Sequence, residues 1–221
     1  MQCRYVFTDI HGCGEVWDQV KAFIGDTPSV FLGDAADRGT DGFRIINEMA
    51  EMPNLVYLMG NHEKLFINAA REYKQNGMDI QWDMPLWFGN GGKPTFRAWR
   101  AVGCPMKIVN WLDKRPLFYV QDNYDMCHSG CLQDQWKRKD EADLTWNRDH
   151  FNENWFNGRT LIHGHTAAFH ISGETGRAAF YNGKIDLDIR TIECGIIAVY
   201  DIIEDTVIYI DKQGVKGDKA K

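Results

Sequence analysis

Three short apolar runs, each ending in a polar cluster, constrain this chain more than any other feature. Tyr5-Val6-Phe7 leads into Thr8-Asp9, Ser29-Val30-Phe31-Leu32 ends at Gly33-Asp34, and Leu55-Val56-Tyr57-Leu58-Met59 ends at Gly60-Asn61. Between them, residues 16–24 place Val16, Val20, Phe23 and Ile24 on one helical face, and residues 43–52 read as a second helix stopped by Pro53. Continuous apolar strands separated by helices predict parallel β-α-β units whose sheet is covered on both faces. The polar clusters then fall just past strand C-termini, the edge where open α/β sheets bind ligands.

The rest of the chain changes character twice. Residues 62–73 read as a helix. Residues 76–105 combine breakers (Asn76-Gly77, Pro85, Gly89-Asn90-Gly91-Gly92, Pro94) with Trp82, Trp87, Phe88, Phe96 and Trp99, which predicts a mostly helical, cap-like insertion with a glycine turn. A short helix is expected over 106–114. Strands are expected over 117–121, 124–128, 160–163, 178–182, 196–203 and 206–211, the last two joined as a hairpin at Glu204-Asp205. One domain over residues 1–212 is expected, followed by a polar, frayed tail over 213–221.

Composition narrows the function classes. A formal net charge of -6 provides no long-range attraction for nucleic acid or anionic membrane, so neither is an expected partner. No apolar stretch is long enough to span a bilayer. The first residues, Met1 to Tyr5, do not read as a secretory leader. The six cysteines form no Cys-x-x-Cys pair, and a reducing, cytoplasmic setting with free thiols is the expectation. Cys127 and Cys131 read as small buried side chains.

The side chains suited to hard or borderline cations are Asp9, His11, Asp34, Asp37, Asn61, His62, His128, His163 and His165. Carboxylate, imidazole and amide oxygen without thiolate suit a hydrolytic manganese, iron or zinc site rather than a structural zinc cluster. Asp9 and His11, two residues apart beyond a strand, are expected to share a face and meet one ion.

In order, the segments read Asp9-Ile10-His11-Gly12, Gly33-Asp34-Ala35-Ala36-Asp37-Arg38-Gly39, Gly60-Asn61-His62-Glu63, His128-Ser129-Gly130 and Gly164-His165-Thr166, with Trp146-Asn147-Arg148 between the last two. This series, from residue 5 to about residue 200, resembles the calcineurin-like metallophosphoesterases. Within them it is similar to PPP-type serine/threonine protein phosphatases of the bacterial and bacteriophage-lambda type, whose Asn-Gly-Gly turn is matched by Asn90-Gly91-Gly92 and Thr95. The resemblance implies an α/β (α+β) fold: a metallophosphoesterase-like β-sandwich of two mixed sheets flanked by helices. It implies two divalent ions, manganese first and iron or zinc as alternatives. Asp9 and His11 would bind the first, Asp34 would bridge, and Asn61, His128 and His165 would hold the second. It further implies direct attack by a metal-bridging hydroxide, phosphate binding by Arg38 and Arg148, and leaving-group protonation by His62 oriented by Asp37. The implied substrate is a phosphomonoester on a phosphoprotein. A monomer is compatible with this reading, and the sequence leaves the oligomeric state open.

Three departures bear on the substrate. Thr8 stands where the family has glycine. Met59 stands where PPP phosphatases carry an arginine that binds phosphate; diadenosine tetraphosphate hydrolases also lack that arginine. The family's Asp-Thr-Gly is here Asp188-Ile189-Arg190, with Arg190 as a candidate replacement cation. A dinucleoside polyphosphate or nucleotide phosphohydrolase is therefore the alternative, and a non-catalytic phosphate-binding scaffold a remote third. Trp82, Trp87 and Trp99 are expected to pack the insertion rather than stack a base. His163 reads as a strand-end neighbour of His165, and His150 and His170 as surface residues.

Overall fold

A computed structural model describes residues 2–77 and 82–220. The first half alternates β1 (Tyr5–Phe7), α1 (Gly14–Ile24), β2 (Ser29–Phe31), α2 (Gly42–Ala50), β3 (Leu55–Tyr57) and α3 (Asn61–Asn76). Three helices follow: α4 (Asp83–Gly89), α5 (Lys93–Ala101) and α6 (Met106–Leu112). The second half holds β4 (Phe118–Gln121), β5 (Tyr124–Ser129), α7 (Gln133–Arg138), α8 (Glu141–Thr145), β6 (Thr160–Gly164), α9 (Phe169–Ser172), β7 (Ala179–Tyr181), β8 (Lys184–Asp186), α10 (Thr191–Cys194), β9 (Ile196–Asp201), β10 (Thr206–Asp211) and β11 (Gly214–Ala220).

These strands make two mixed sheets, ordered β11-β10-β9-β1-β2-β3 and β4-β5-β6-β8-β7. The expected parallel register holds from β1 through β3, with Val6 opposite Val30 and Val30 opposite Val56. On its other side β1 pairs antiparallel with β9, Phe7 lying opposite Val199. The continuous apolar strands have two jobs. Phe7, Phe31 and Tyr57 face the helices with Trp17, Ile46 and Phe66, while Val6, Val30 and Leu58 face the second sheet with Met126, Ile162 and Ile185. Neither face of β1 or β2 is left for water, so no polar alternation develops there. A smaller cluster around Trp136, Trp155, Leu144 and Leu161 lies beside the second sheet.

The insertion is helical, as expected, although residues 78–81 lie outside the described part. Trp87 and Trp99 are fully buried and meet Phe66 of α3 at ring distances of 5.0 and 5.6 Å, so they pack rather than project. Trp82 departs from that expectation: it is 81% exposed and does not pack the insertion onto the body. All six cysteines are free, with Cys127 and Cys131 buried. No helix among the described residues is long and apolar enough to cross a membrane.

Several elements differ from expectation. The run 178–182 is one arm of a hairpin: Asn182-Gly183 turns the chain so that β8 returns antiparallel to β7. In place of the expected frayed tail, Gly214–Ala220 forms an outer strand paired with β10. His150 is fully buried, its ring against Gly130, whereas His170 is exposed as expected.

Candidate metal centre

The polar clusters converge at one end of the sandwich. Asp9 and His11 follow β1, Asp34 follows β2, Asn61 and His62 open α3, His128 lies in β5 and His165 follows β6. The approach is not the simple strand alternation expected for Asp9 and His11. Asp9, His11, Asp34, Asp37, Arg38 and His165 all have φ between 45° and 72°. A left-handed backbone costs a non-glycine residue about 1–2 kcal/mol and persists only where its surroundings fix it. Here the fixing is a backbone lattice between loops: Asp9 N–H donates to Gly33 O (3.1 Å), His11 N–H to Asp34 O (3.0 Å) and Gly39 N–H to His11 O (2.9 Å). Gly12 and Gly39 meet backbone to backbone, and a Cβ on Gly12 would stand 2.7 Å from the Gly39 carbonyl carbon.

Asp34 is the hub. Its Oδ2 lies 3.7 Å from His11 Nε2, 3.9 Å from His62 Nε2 and 3.3 Å from His128 Nε2. Its Oδ1 accepts the His62 backbone N–H at 3.0 Å. On one side, Asp9 Oδ1 is 3.7 Å from His11 Nε2. The other His11 nitrogen, Nδ1, faces Ala36 O at 3.1 Å, which leaves Nε2 as the free donor. On the other side, Asn61 Oδ1 lies 2.9 Å from both His128 Nε2 and His165 Nδ1. Ligand atoms about 2.1 Å from one ion, spread at tetrahedral or octahedral angles, are separated by roughly 3.0–3.6 Å. Two sets of side chains converge with their candidate ligand atoms within 4.8 Å of one another: His11 and Asp34 with the neighbouring His62, and Asp34, His128 and His165. Asp9 and Asn61 add oxygen donors to the two sides. The donors fit a pair of divalent cations sharing Asp34.

The electrostatics agree. Burial works to raise the Asp34 carboxyl, yet the surrounding His128, His62 and His11 hold it well below the usual carboxylate range. Burial works to lower His128, but facing Asp34 pushes it up to about 9. His165 goes the other way, to about 3, because burial, His128 and Arg148 all disfavour its charge. Cations entering this site would therefore displace a proton from His128 and find His165 already neutral.

The sequence profile described as calcineurin-like phosphoesterase matches residues 5–193. The chain belongs to that family. Its members are phosphoester hydrolases that work with divalent metals, in agreement with the donor set above. A symmetrical bis(5'-nucleosyl)-tetraphosphatase of Nitrosomonas europaea is 24% identical over 135 residues, which span 58% of this chain and 44% of that relative. A solved structure provisionally described as a diadenosine tetraphosphatase is similar with a TM-score of 0.67 at 17% identity, covering 93% of this chain and 91% of its own. A cold-active protein-tyrosine phosphatase of a psychrophilic Shewanella has a TM-score of 0.61 at 15% identity, covering 99% of this chain and 81% of its own.

Around this calcineurin-like centre the remaining expected residues take distinct places. His62 Nδ1 lies 2.8 Å from Asp37 Oδ2, and His62 Nε2 faces Arg38 Nη2 at 3.3 Å. Arg148 donates from Nη1 to Thr166 Oγ1 at 3.0 Å, beside His165. Both arginines are exposed at the rim. Arg190 does not join them; it is exposed and pairs with Glu193 at 2.9 Å. Met59 is only 2% exposed and packs in the core beneath the helices. His163 is buried, with Nε2 2.8 Å from Tyr181 Oη, and is not among the converging donors.

Four residues carry weight here that sequence reasoning did not assign. Thr8 Oγ1 donates to Asp9 Oδ2 at 2.6 Å. Glu63 accepts from the backbone N–H groups of Asp34 (2.7 Å), Ala35 (2.9 Å) and Gly60 (3.0 Å) and from Tyr57 Oη (3.0 Å). Asp188 is buried, and burial together with Asp9 pushes its carboxyl up to about 7. Trp87 Nε1 donates to Asp37 Oδ2 at 2.8 Å. Glu63 and Asp188 stood in recognisable motifs without a role. The roles of Thr8 and Trp87 depend on where a side chain points, and no local pattern carries that.

Proposed function

We propose that this chain hydrolyses phosphomonoesters at a two-cation centre, with a phosphorylated serine or threonine side chain as the substrate class. Asp9, His11 and Asp34 would hold one cation, and Asp34, Asn61, His128 and His165 the other. The observation that carries the reading is Asp34 Oδ2, placed within 3.3–3.9 Å of histidines from three different chain segments. Two cations so held, manganese first with iron or zinc as alternatives, would supply Lewis acidity that activates water and neutralises phosphate charge. Arg38 and Arg148 at the rim would grip the remaining phosphate oxygens as fork-shaped donors. His62 would give its Nε2 proton to the leaving oxygen, with Asp37 on Nδ1 keeping the ring oriented and stabilising its charged form. The chain would then need no covalent phosphoenzyme, and no serine or cysteine serves as nucleophile.

A second reading is favoured by Met59. Its side chain is buried among apolar residues, so this centre has no third cation from that position for a terminal phosphate dianion. A bridging phosphate of a dinucleoside polyphosphate carries less charge per phosphorus, and the Nitrosomonas relative's name points to that class.

A kinetic panel in manganese buffer separates the readings: 4-nitrophenyl phosphate, a phosphothreonine peptide, a bis-aryl phosphodiester and diadenosine tetraphosphate, each with and without chelator. The first reading expects phosphopeptide kcat/KM to exceed that of the dinucleotide and to vanish with chelation. The reverse order transfers the assignment to the nucleotide. Absence of turnover on all four would leave only phosphate binding without catalysis.

A further inference from the structure

The aromatic insertion is tied to the acid side of the centre, and the tie is specific. Asp37 Oδ2 takes two donors at once, His62 Nδ1 at 2.8 Å and Trp87 Nε1 at 2.8 Å. The other oxygen, Oδ1, is buried with no hydrogen-bond partner among the described residues. The Asp37 backbone N–H donates to Thr95 Oγ1 at 2.9 Å, and Arg38 N–H donates to Gly91 O at 3.0 Å. The Asp37-Arg38 turn is thus gripped at three points by residues 87–95. The indole itself is pinned by stacking on Phe66 (5.0 Å, 20° between planes), edge contact with Phe96 (6.2 Å) and close approach of Gly92, where any Cβ would collide with the ring.

An apolar core position needs bulk, which phenylalanine or leucine supplies without a donor. A buried indole whose N–H meets a carboxylate is a different object: its donor fixes the carboxylate plane. A carboxylate free to rotate would offer His62 either oxygen, and the imidazole would follow it. With Oδ2 fixed by Trp87, His62 has one orientation, and its Nε2 points to the space between Arg38 Nη2 and Asp34 Oδ2.

We propose that Trp87 is a positioning residue for His62, acting through Asp37, so that the insertion takes part in leaving-group protonation. This rests on the reading of His62 as the acid. The reaction itself distinguishes the role from simple packing. A good leaving group such as 4-nitrophenolate departs with little help from a proton, whereas an alkoxide requires one. Trp87→Phe should therefore lower kcat about tenfold more for a phosphoserine-type alkyl ester than for 4-nitrophenyl phosphate, with cation content unchanged. A loss equal on both esters overturns the proposal, since damaged packing or a damaged cation site slows every substrate alike.

His62→Asn, run on the same esters, separates the two layers. A leaving-group-dependent loss in His62→Asn together with an even loss in Trp87→Phe removes Trp87 and leaves the acid in place. An even loss in His62→Asn removes the acid and with it this proposal. Should Trp87→Phe fold poorly, a benzothienyl side chain installed at position 87 keeps the bicyclic shape and deletes only the donor; the same ester ratio then decides.

Discussion

The hydroxyl of Thr8 donates to Oδ2 of Asp9 across 2.6 Å inside the buried centre. The same oxygen accepts the His165 backbone N–H at 3.1 Å, so Oδ1 is the oxygen left to face His11 and a cation. Thr8→Val keeps the shape and removes the donor. Hydrogen bonds that orient a metal ligand are worth roughly 10–100-fold in affinity. Titration of the stripped protein with manganese, followed calorimetrically, should show one of two sites weakened about tenfold and the other unchanged. Two unaltered sites would refute the role.

Glu63 ties the Asp34 loop to α3 by accepting from the backbone N–H groups of Asp34 and Ala35, and it also accepts from Gly60 N–H at the start of α3 and from Tyr57 Oη. Glu63→Ala would leave these buried donors without an acceptor at about 1–3 kcal/mol each, less whatever water recovers. Chemical denaturation should register a loss of at least about 3 kcal/mol, together with poorer cation retention. A variant of native stability would contradict the account.

Met59→Arg tests whether the phosphate-binding arginine of PPP phosphatases can simply be restored. Because Met59 is 2% exposed in the apolar core, the new guanidinium would enter without a carboxylate designed for it. The expected result is a destabilisation of about 3 kcal/mol or more and no gain in monoester kcat/KM. Higher monoesterase activity at native stability would mean that the side chain at 59 can reach the rim.

His150 makes stability sensitive to acid. Burial, with His163 and Lys184 adding to it, lowers the ring to about 2, while an unfolded histidine titrates near 6.5. Between those values the unfolded chain binds the extra proton, so stability is intact above about pH 6.5 and falls as pH drops through it. In chelator, urea unfolding at pH 7.5 and 5.0 should show the native chain losing about 2 kcal/mol more than His150→Gln over that interval. Parallel losses in the two proteins would exclude His150 as a source of the acid sensitivity.

The sequence by itself determined the donor chemistry and much of the frame. Apolar runs closed by Asp9, Asp34 and Asn61 marked three parallel strands and their ligand-bearing ends, because strand period and residue type are local properties. The ordered motifs from Asp9 to His165 identified the family for the same reason. Tertiary structure alone decided how those residues meet. The left-handed turns at Asp9, His11 and Asp34 are held by hydrogen bonds between loops more than twenty residues apart. The pairing of β1 with β9 joins segments at opposite ends of the chain. The burial of Met59 and His150, the deflection of Arg190 to Glu193, and the hold of Trp87 on Asp37 are directions in space. Long-range packing sets them, and the periodicity of a single segment contains no record of what will pack against it.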